Sequence, residues 1–135
     1  MQALRKTRPN GTLRLLLVDD DPIFGQVMRQ AAAQRNVELV VLELVGRRDY
    51  SVLQDFDLVL VDYELRNING VQFARFLEHY RPDLQSILIS SYSKIPDFVL
   101  PRGIKAFVPK SVGPGGILDA AINYCRPNLF NENRP

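Results

Sequence analysis

The chain has 135 residues, 46% of them hydrophobic, which suits one globular domain with a sizeable core. A formal net charge of +2, with basic residues spread along the chain, does not by itself indicate nucleic acid. A single cysteine, Cys125, excludes an intramolecular disulfide and points to a reducing, cytoplasmic setting, and no apolar stretch approaches the roughly 18 residues of a membrane span.

Residues 1–12, with Arg5, Lys6 and Arg8, read as a flexible, solvated leader. Leu13 to Val18 form an apolar run that ends in Asp19-Asp20-Asp21. Phe24, Val27, Met28 and Ala31 then recur at the spacing of an amphipathic helix, with Pro22 at an early helical position and Asp21 as its cap rather than a ligand. Val37 to Val45 is rich in β-branched residues and predicts a second strand, and Arg47 to Gln54 leaves room only for a short helix. Asp57 to Val61 predicts a third strand, running into Asp62. Asn69-Gly70 starts the next helix, whose apolar face holds Val71, Phe73, Ala74, Phe76, Leu77 and Tyr80, and Arg81-Pro82 closes it.

Gln85 to Ile89 predicts a fourth strand that runs into Ser90-Ser91, and Lys105 to Val108 a fifth that leads through Pro109 to Lys110. The segment between them should hold a short or irregular helix beginning near Pro96, because Pro101 removes a backbone donor and Gly103 ends the run. Ile117, Leu118, Ala121, Ile122 and Cys125 define a last helix on which the cysteine reads as a packed thiol. Residues 126–135 read as a frayed tail or the start of a linker. The alternation is (βα)5, an α/β three-layer sandwich around a five-stranded parallel sheet.

Ligands of such sheets sit beyond the carboxyl ends of the strands. The residues that end the apolar runs therefore converge: up to four carboxylates, one or two hydroxyls and one lysine. Carboxylates gathered that closely need a cation or must hold protons. Mg2+ suits them, since it takes oxygen ligands and accepts one or two carboxylates together with phosphate oxygens. A carboxylate can also act as a nucleophile and form an aspartyl phosphate, with Lys110 and Ser90 neutralising the phosphoryl oxygens.

From Leu13 to Tyr124 the chain resembles the CheY-like receiver domain of two-component response regulators, a doubly wound, flavodoxin-like fold. The resemblance rests on Leu16-Leu17-Val18-Asp19-Asp20-Asp21-Pro22, on Asp57-Leu58-Val59-Leu60-Val61-Asp62, on Gly70, on Ser90-Ser91 and on Phe107-Val108-Pro109-Lys110. It implies that Asp62 accepts a phosphoryl group from a histidine kinase or histidine phosphotransfer protein. It also implies Mg2+ held by Asp19, Asp20, Asp62 and the Glu64 backbone carbonyl. Ser90 would hydrogen-bond the phosphoryl group, Lys110 would pair with it, and Phe107 would be the switch aromatic. Glu64 and Tyr92 stand where the family tunes loss of the phosphoryl group to water, and a carboxylate and a bulky ring there imply slow self-hydrolysis. The implied product is a signalling switch rather than a turnover enzyme, acting on a downstream protein or a fused output domain, with no direct contact to nucleic acid or membrane from this domain.

Three features depart from the family. Arg66 stands where a proline is frequent, Ser111 follows Lys110 in place of a common proline, and the fourth-helix segment is short. These keep a second reading open, a receiver fold used as an interaction module without phosphorylation. A phosphatase of the haloacid dehalogenase kind is disfavoured, because Ile23 stands where that family needs a threonine and the chain has no room for a cap domain. His79, the only histidine, reads as a solvated residue near a helix end, away from the site.

Overall fold

The computed structural model describes residues 11–42, 55–65, 68–92 and 102–126. The leader, the short helix expected at 47–54, Arg66, most of the fourth-helix segment and the tail beyond Arg126 lie outside the described residues. In chain order the elements are β1 (Leu13–Val18), α1 (Pro22–Ala33), β2 (Val37–Leu42), β3 (Leu58–Asp62), α2 (Gly70–Tyr80), β4 (Ser86–Ser90) and β5 (Ile104–Pro109), then a 3-10 turn (Lys110–Val112) and α3 (Gly113–Cys125).

The five strands form one parallel sheet in the order β2-β1-β3-β4-β5. Strand residues alternate between two apolar layers, as the period of two requires. Leu15, Leu17, Leu58, Leu60, Ile87 and Ile89 pack with Met28 and Ala32 of α1 and with Ile117, Leu118 and Ala121 of α3. Leu16, Val18, Val59 and Val61 pack on the opposite face with Phe73 and Leu77 of α2. Because both faces are covered, the strands read as unbroken apolar runs. The chain order reverses between β1 and β3, which opens a crevice at their carboxyl ends.

Three local features aim that crevice. Asp21 caps α1, its carboxylate accepting the Ile23 N–H at 3.0 Å with Pro22 in the first turn. A reciprocal capping box opens α2, where Asn69 Oδ1 accepts the Gln72 N–H and Gln72 Oε1 accepts the Asn69 N–H, each at 2.9 Å. Gly70 lies so close to the end of β3 that a Cβ there would stand 2.5 Å from the Asp62 carbonyl oxygen and 2.9 Å from the Tyr63 Cα. Only a residue without a side chain lets α2 begin at that point.

Candidate functional site

The parallel ladders carry β3 to Asp62 and β4 to Ser90, with Asp62 opposite Ile89 and Ser90 opposite Pro109. Each strand thus runs about one residue beyond its apolar stretch and delivers a polar side chain to the same edge. Asp19 follows β1, and its N–H is tied to the Leu42 carbonyl at 3.2 Å. Lys110 follows β5 directly.

Asp19 and Asp62 are almost fully buried, at 1% and 4% exposure. The Lys110 ammonium joins them, 3.0 Å from Asp19 Oδ2 and 3.5 Å from Asp62 Oδ2. It also sits over the Phe24 ring, 4.2 Å from its centre. Two carboxylates share one ammonium, so the centre is short of positive charge. Burial pushes the Asp62 carboxyl up from its usual 3.8 to about 6; the Asp19 charge adds to this and Lys110 offsets part of it. Burial likewise raises Asp19, against the Asp21 N–H, which donates to Asp19 Oδ1 at 2.9 Å, and against Lys110. For Lys110, burial favours the neutral amine, but the two carboxylates outweigh it and leave its pKa raised.

Asp62 Oδ1 is buried and has no hydrogen-bond partner. A buried carboxylate oxygen in that state favours a cation or a proton. The donors around it are all hard oxygens, which fit Mg2+ rather than a softer metal. Asp20 is half-exposed beside Asp19. Among the described residues no three His, Cys, Asp or Glu side chains gather into a ready metal cage.

Ser90 is fully buried and its hydroxyl donates to Glu64 Oε1 at 2.9 Å. The same oxygen accepts the Ser91 N–H at 3.1 Å, while Ser90 Oγ accepts the Tyr92 N–H at 3.1 Å. Phe107 is half-buried against Val71, Ala74, Leu88 and Ile104, on the side of the sheet that α2 covers. His79 is exposed near the end of α2, and Cys125 packs half-buried against the α1–α3 layer. Of the residues singled out from sequence, Asp19, Asp62 and Lys110 meet in direct contact. Ser90 turns toward Glu64, and Phe107 lies in the neighbouring apolar layer. Sequence reasoning missed Phe24 as a partner of Lys110 and the Glu64 carboxylate as a partner of Ser90. Phe24 carried only the signal of a helix's apolar face.

A family model described as the response regulator receiver domain matches residues 15–122. The C4-dicarboxylate transport transcriptional regulatory protein DctD of Pseudomonas aeruginosa is 29% identical over 90% of this chain and 27% of its own length. The putative two-component response regulator ARR21 of Arabidopsis thaliana is 23% identical over 76% of this chain and 17% of its own length. The chain therefore spans about a quarter or less of these relatives. Among solved structures, a CheY-like receiver domain protein from Methanospirillum hungatei superposes with a TM-score of 0.71 at 19% identity, covering 89% of this chain and 98% of that one. The response regulator TrrA of Thermotoga maritima, solved with Mg2+ and a beryllium fluoride, gives 0.69 at 21% identity over 84% of this chain and 98% of its own. TrrA solved in complex with the histidine kinase ThkA also gives 0.69, at 22% identity over the same shares, 84% and 98%. At these identities the structural likeness is one of fold.

Proposed function

The chain belongs to the response regulator receiver family of two-component signalling, and on that premise we propose that it is a phosphorylation-driven switch whose acceptor is Asp62. The reading is carried by one observation: Asp19 and Asp62 are buried together under a single ammonium, with Asp62 Oδ1 free of hydrogen bonds. An Asp62 carboxylate oxygen attacks the phosphorus of a phosphohistidine on a histidine kinase or phosphotransfer protein. A P–O bond forms, the P–N bond breaks, and its electron pair leaves with the imidazole. Lys110, already between the carboxylates, pairs with a phosphoryl oxygen, and Ser90 donates its hydroxyl to another. Phe107 follows that movement of Ser90 as the switch aromatic. Mg2+ held by Asp19, Asp20, Asp62 and the Glu64 backbone carbonyl would supply charge neutralisation at the phosphoryl group.

The histidine kinase is the favoured donor because TrrA, of the same fold, has been solved with one. The phosphorylated state is read by a downstream protein or a fused output domain, and the receiver unit spans residues 13–125 in the cytoplasm. No helix among the described residues is long and apolar enough to cross a membrane. The second reading, an interaction module that needs no phosphorylation, draws its support from the sequence: Arg66 stands where the family often has a proline, and Pro101 and Gly103 shorten the fourth-helix segment. Intact-mass spectrometry after incubation with acetyl phosphate and Mg2+ separates the two. One phosphoryl adduct on the wild type and none on Asp62→Asn is the expected result. A folded wild type that stays unmodified would favour the module.

A further inference from the structure

The Ser90 hydroxyl and the Ser91 N–H are the donors at the carboxyl end of β4, and both are already committed. A single oxygen, Glu64 Oε1, accepts from Ser90 at 2.9 Å and from Ser91 at 3.1 Å. Glu64 stands two residues after Asp62, so this anion reaches the donors from the loop that the acceptor itself begins. Ser90 is fully buried, and its Oγ already accepts the Tyr92 N–H at 3.1 Å. The hydroxyl therefore has one proton to give, and it gives it to Glu64. A phosphoryl oxygen on Asp62 needs that same proton.

We propose that the Glu64 carboxylate is a built-in competitor for the phosphoryl group: it holds the Ser90 hydroxyl in the unmodified protein and must be displaced when an anion arrives on Asp62. The proposal rests on the phosphoacceptor reading and adds a regulator to the same site. The competition sets the resting position of Ser90 and makes the switch harder to throw by the net worth of the hydrogen bonding that the exposed Glu64 carboxylate must give up. It also assigns Glu64 a positioning role in the resting protein, separate from any effect on hydrolysis.

The probe is beryllium fluoride with Mg2+, a phosphoryl mimic that needs no kinase, titrated into the wild type, Glu64→Asp, Glu64→Gln and Glu64→Ala. Aspartate keeps the charge but is one methylene too short to reach Ser90, so it separates the hydrogen bond from simple repulsion. The expected result is affinity raised about three- to tenfold in both Asp and Ala, with Gln between them and the wild type. Amide hydrogen exchange of the metal-free proteins gives the second readout: Ser91 is protected in the wild type and exchanges faster in Asp and Ala. Equal affinities across the four proteins, an Asp variant that matches the wild type, or an unchanged Ser91 amide overturns the proposal while leaving the phosphoacceptor reading standing. Failure of all four folded proteins to bind the mimic overturns the phosphoacceptor reading and the competition with it.

Discussion

The Lys110 ammonium lies 3.0 Å from Asp19, 3.5 Å from Asp62 and 4.2 Å from the centre of the Phe24 ring, so groups from three elements fix a single charge. A cation over an aromatic face gains about 0.5–2 kcal/mol, most where water is excluded. Phe24→Leu keeps apolar bulk and loses the ring. It should lower the acetyl phosphate-driven yield of modified protein about three- to tenfold at limiting donor, with only a small change in thermal midpoint, whereas Phe24→Tyr should behave as the wild type. A Leu variant with unchanged yield would reduce Phe24 to a space filler. Lys110→Met goes further, leaving two buried carboxylates with no counter-charge. Breaking a buried ion pair from one side typically costs about 3–5 kcal/mol, so urea unfolding of this variant at pH 7 should show a loss of that order, shrinking toward pH 5 as the carboxylates take up protons. Asp19, Asp62, Ser90 and Lys110 were legible in the sequence because a strand end delivers its side chain to the sheet edge whatever the neighbours do. The stacking of Phe24 and the reach of Glu64 were not, since each depends on a side chain turning toward another element, and no periodicity encodes that direction.

At the scale of elements, α2 is held at its start by two independent devices. Its capping box joins Asn69 and Gln72, and Gly70 lets the first turn rest against the Asp62 carbonyl, where its own N–H donates to the Tyr63 carbonyl at 2.8 Å. Asn69→Ala should cost about 1 kcal/mol of unfolding free energy, the usual worth of an N-cap. Gly70→Ala should cost more, about 2–3 kcal/mol, because the contact is with backbone that cannot swing aside. It should also reduce modification of Asp62, since relieving the clash moves the end of β3. Denaturant melts read against phosphoryl yield distinguish the two variants: Asn69→Ala lowers stability alone, and Gly70→Ala lowers both. A Gly70→Ala variant with wild-type yield would mean that the end of β3 absorbs the methyl without moving Asp62. Helix starts were visible as Asp21-Pro22 and Asn69-Gly70, because caps are read locally. Strand ends were set a residue early for β3, β4 and β5, since Asp62, Ser90 and Pro109 are poor strand formers that the neighbouring ladder nonetheless carries.

The whole molecule places an electrostatic load at the reversal point of its sheet, and that load sets a pH dependence. That the sheet is parallel and five-stranded followed from apolar runs alternating with helices, a global pattern that survives errors at single boundaries, whereas the order β2-β1-β3-β4-β5 was read from the structure. The sharing of one ammonium by two carboxylates needed coordinates. Asp62 is pushed up from 3.8 to about 6 in the folded protein, first by burial and then by the Asp19 charge. The folded state thus binds this proton more tightly than the unfolded chain does. The stabilisation from the proton is fully present below about pH 4 and is lost as pH rises through about 6. Asp19, raised in the same direction, adds to the loss. Asp83 runs the other way, held below its usual range by Arg81, but it lies on the surface and contributes little. Metal-free protein should therefore lose on the order of 1–3 kcal/mol of unfolding free energy between pH 4 and pH 7, measured by urea melts at each pH. Asp62→Asn should flatten most of that slope and be the more stable protein at pH 7. Adding Mg2+ at pH 7 should restore stability to the wild type in proportion to the logarithm of its concentration above the dissociation constant, and far less to the variant. A wild type whose stability does not fall over this range, or an Asp62→Asn protein with the same slope, would mean that Asp62 carries no uncompensated charge and that the crevice is already balanced without a metal.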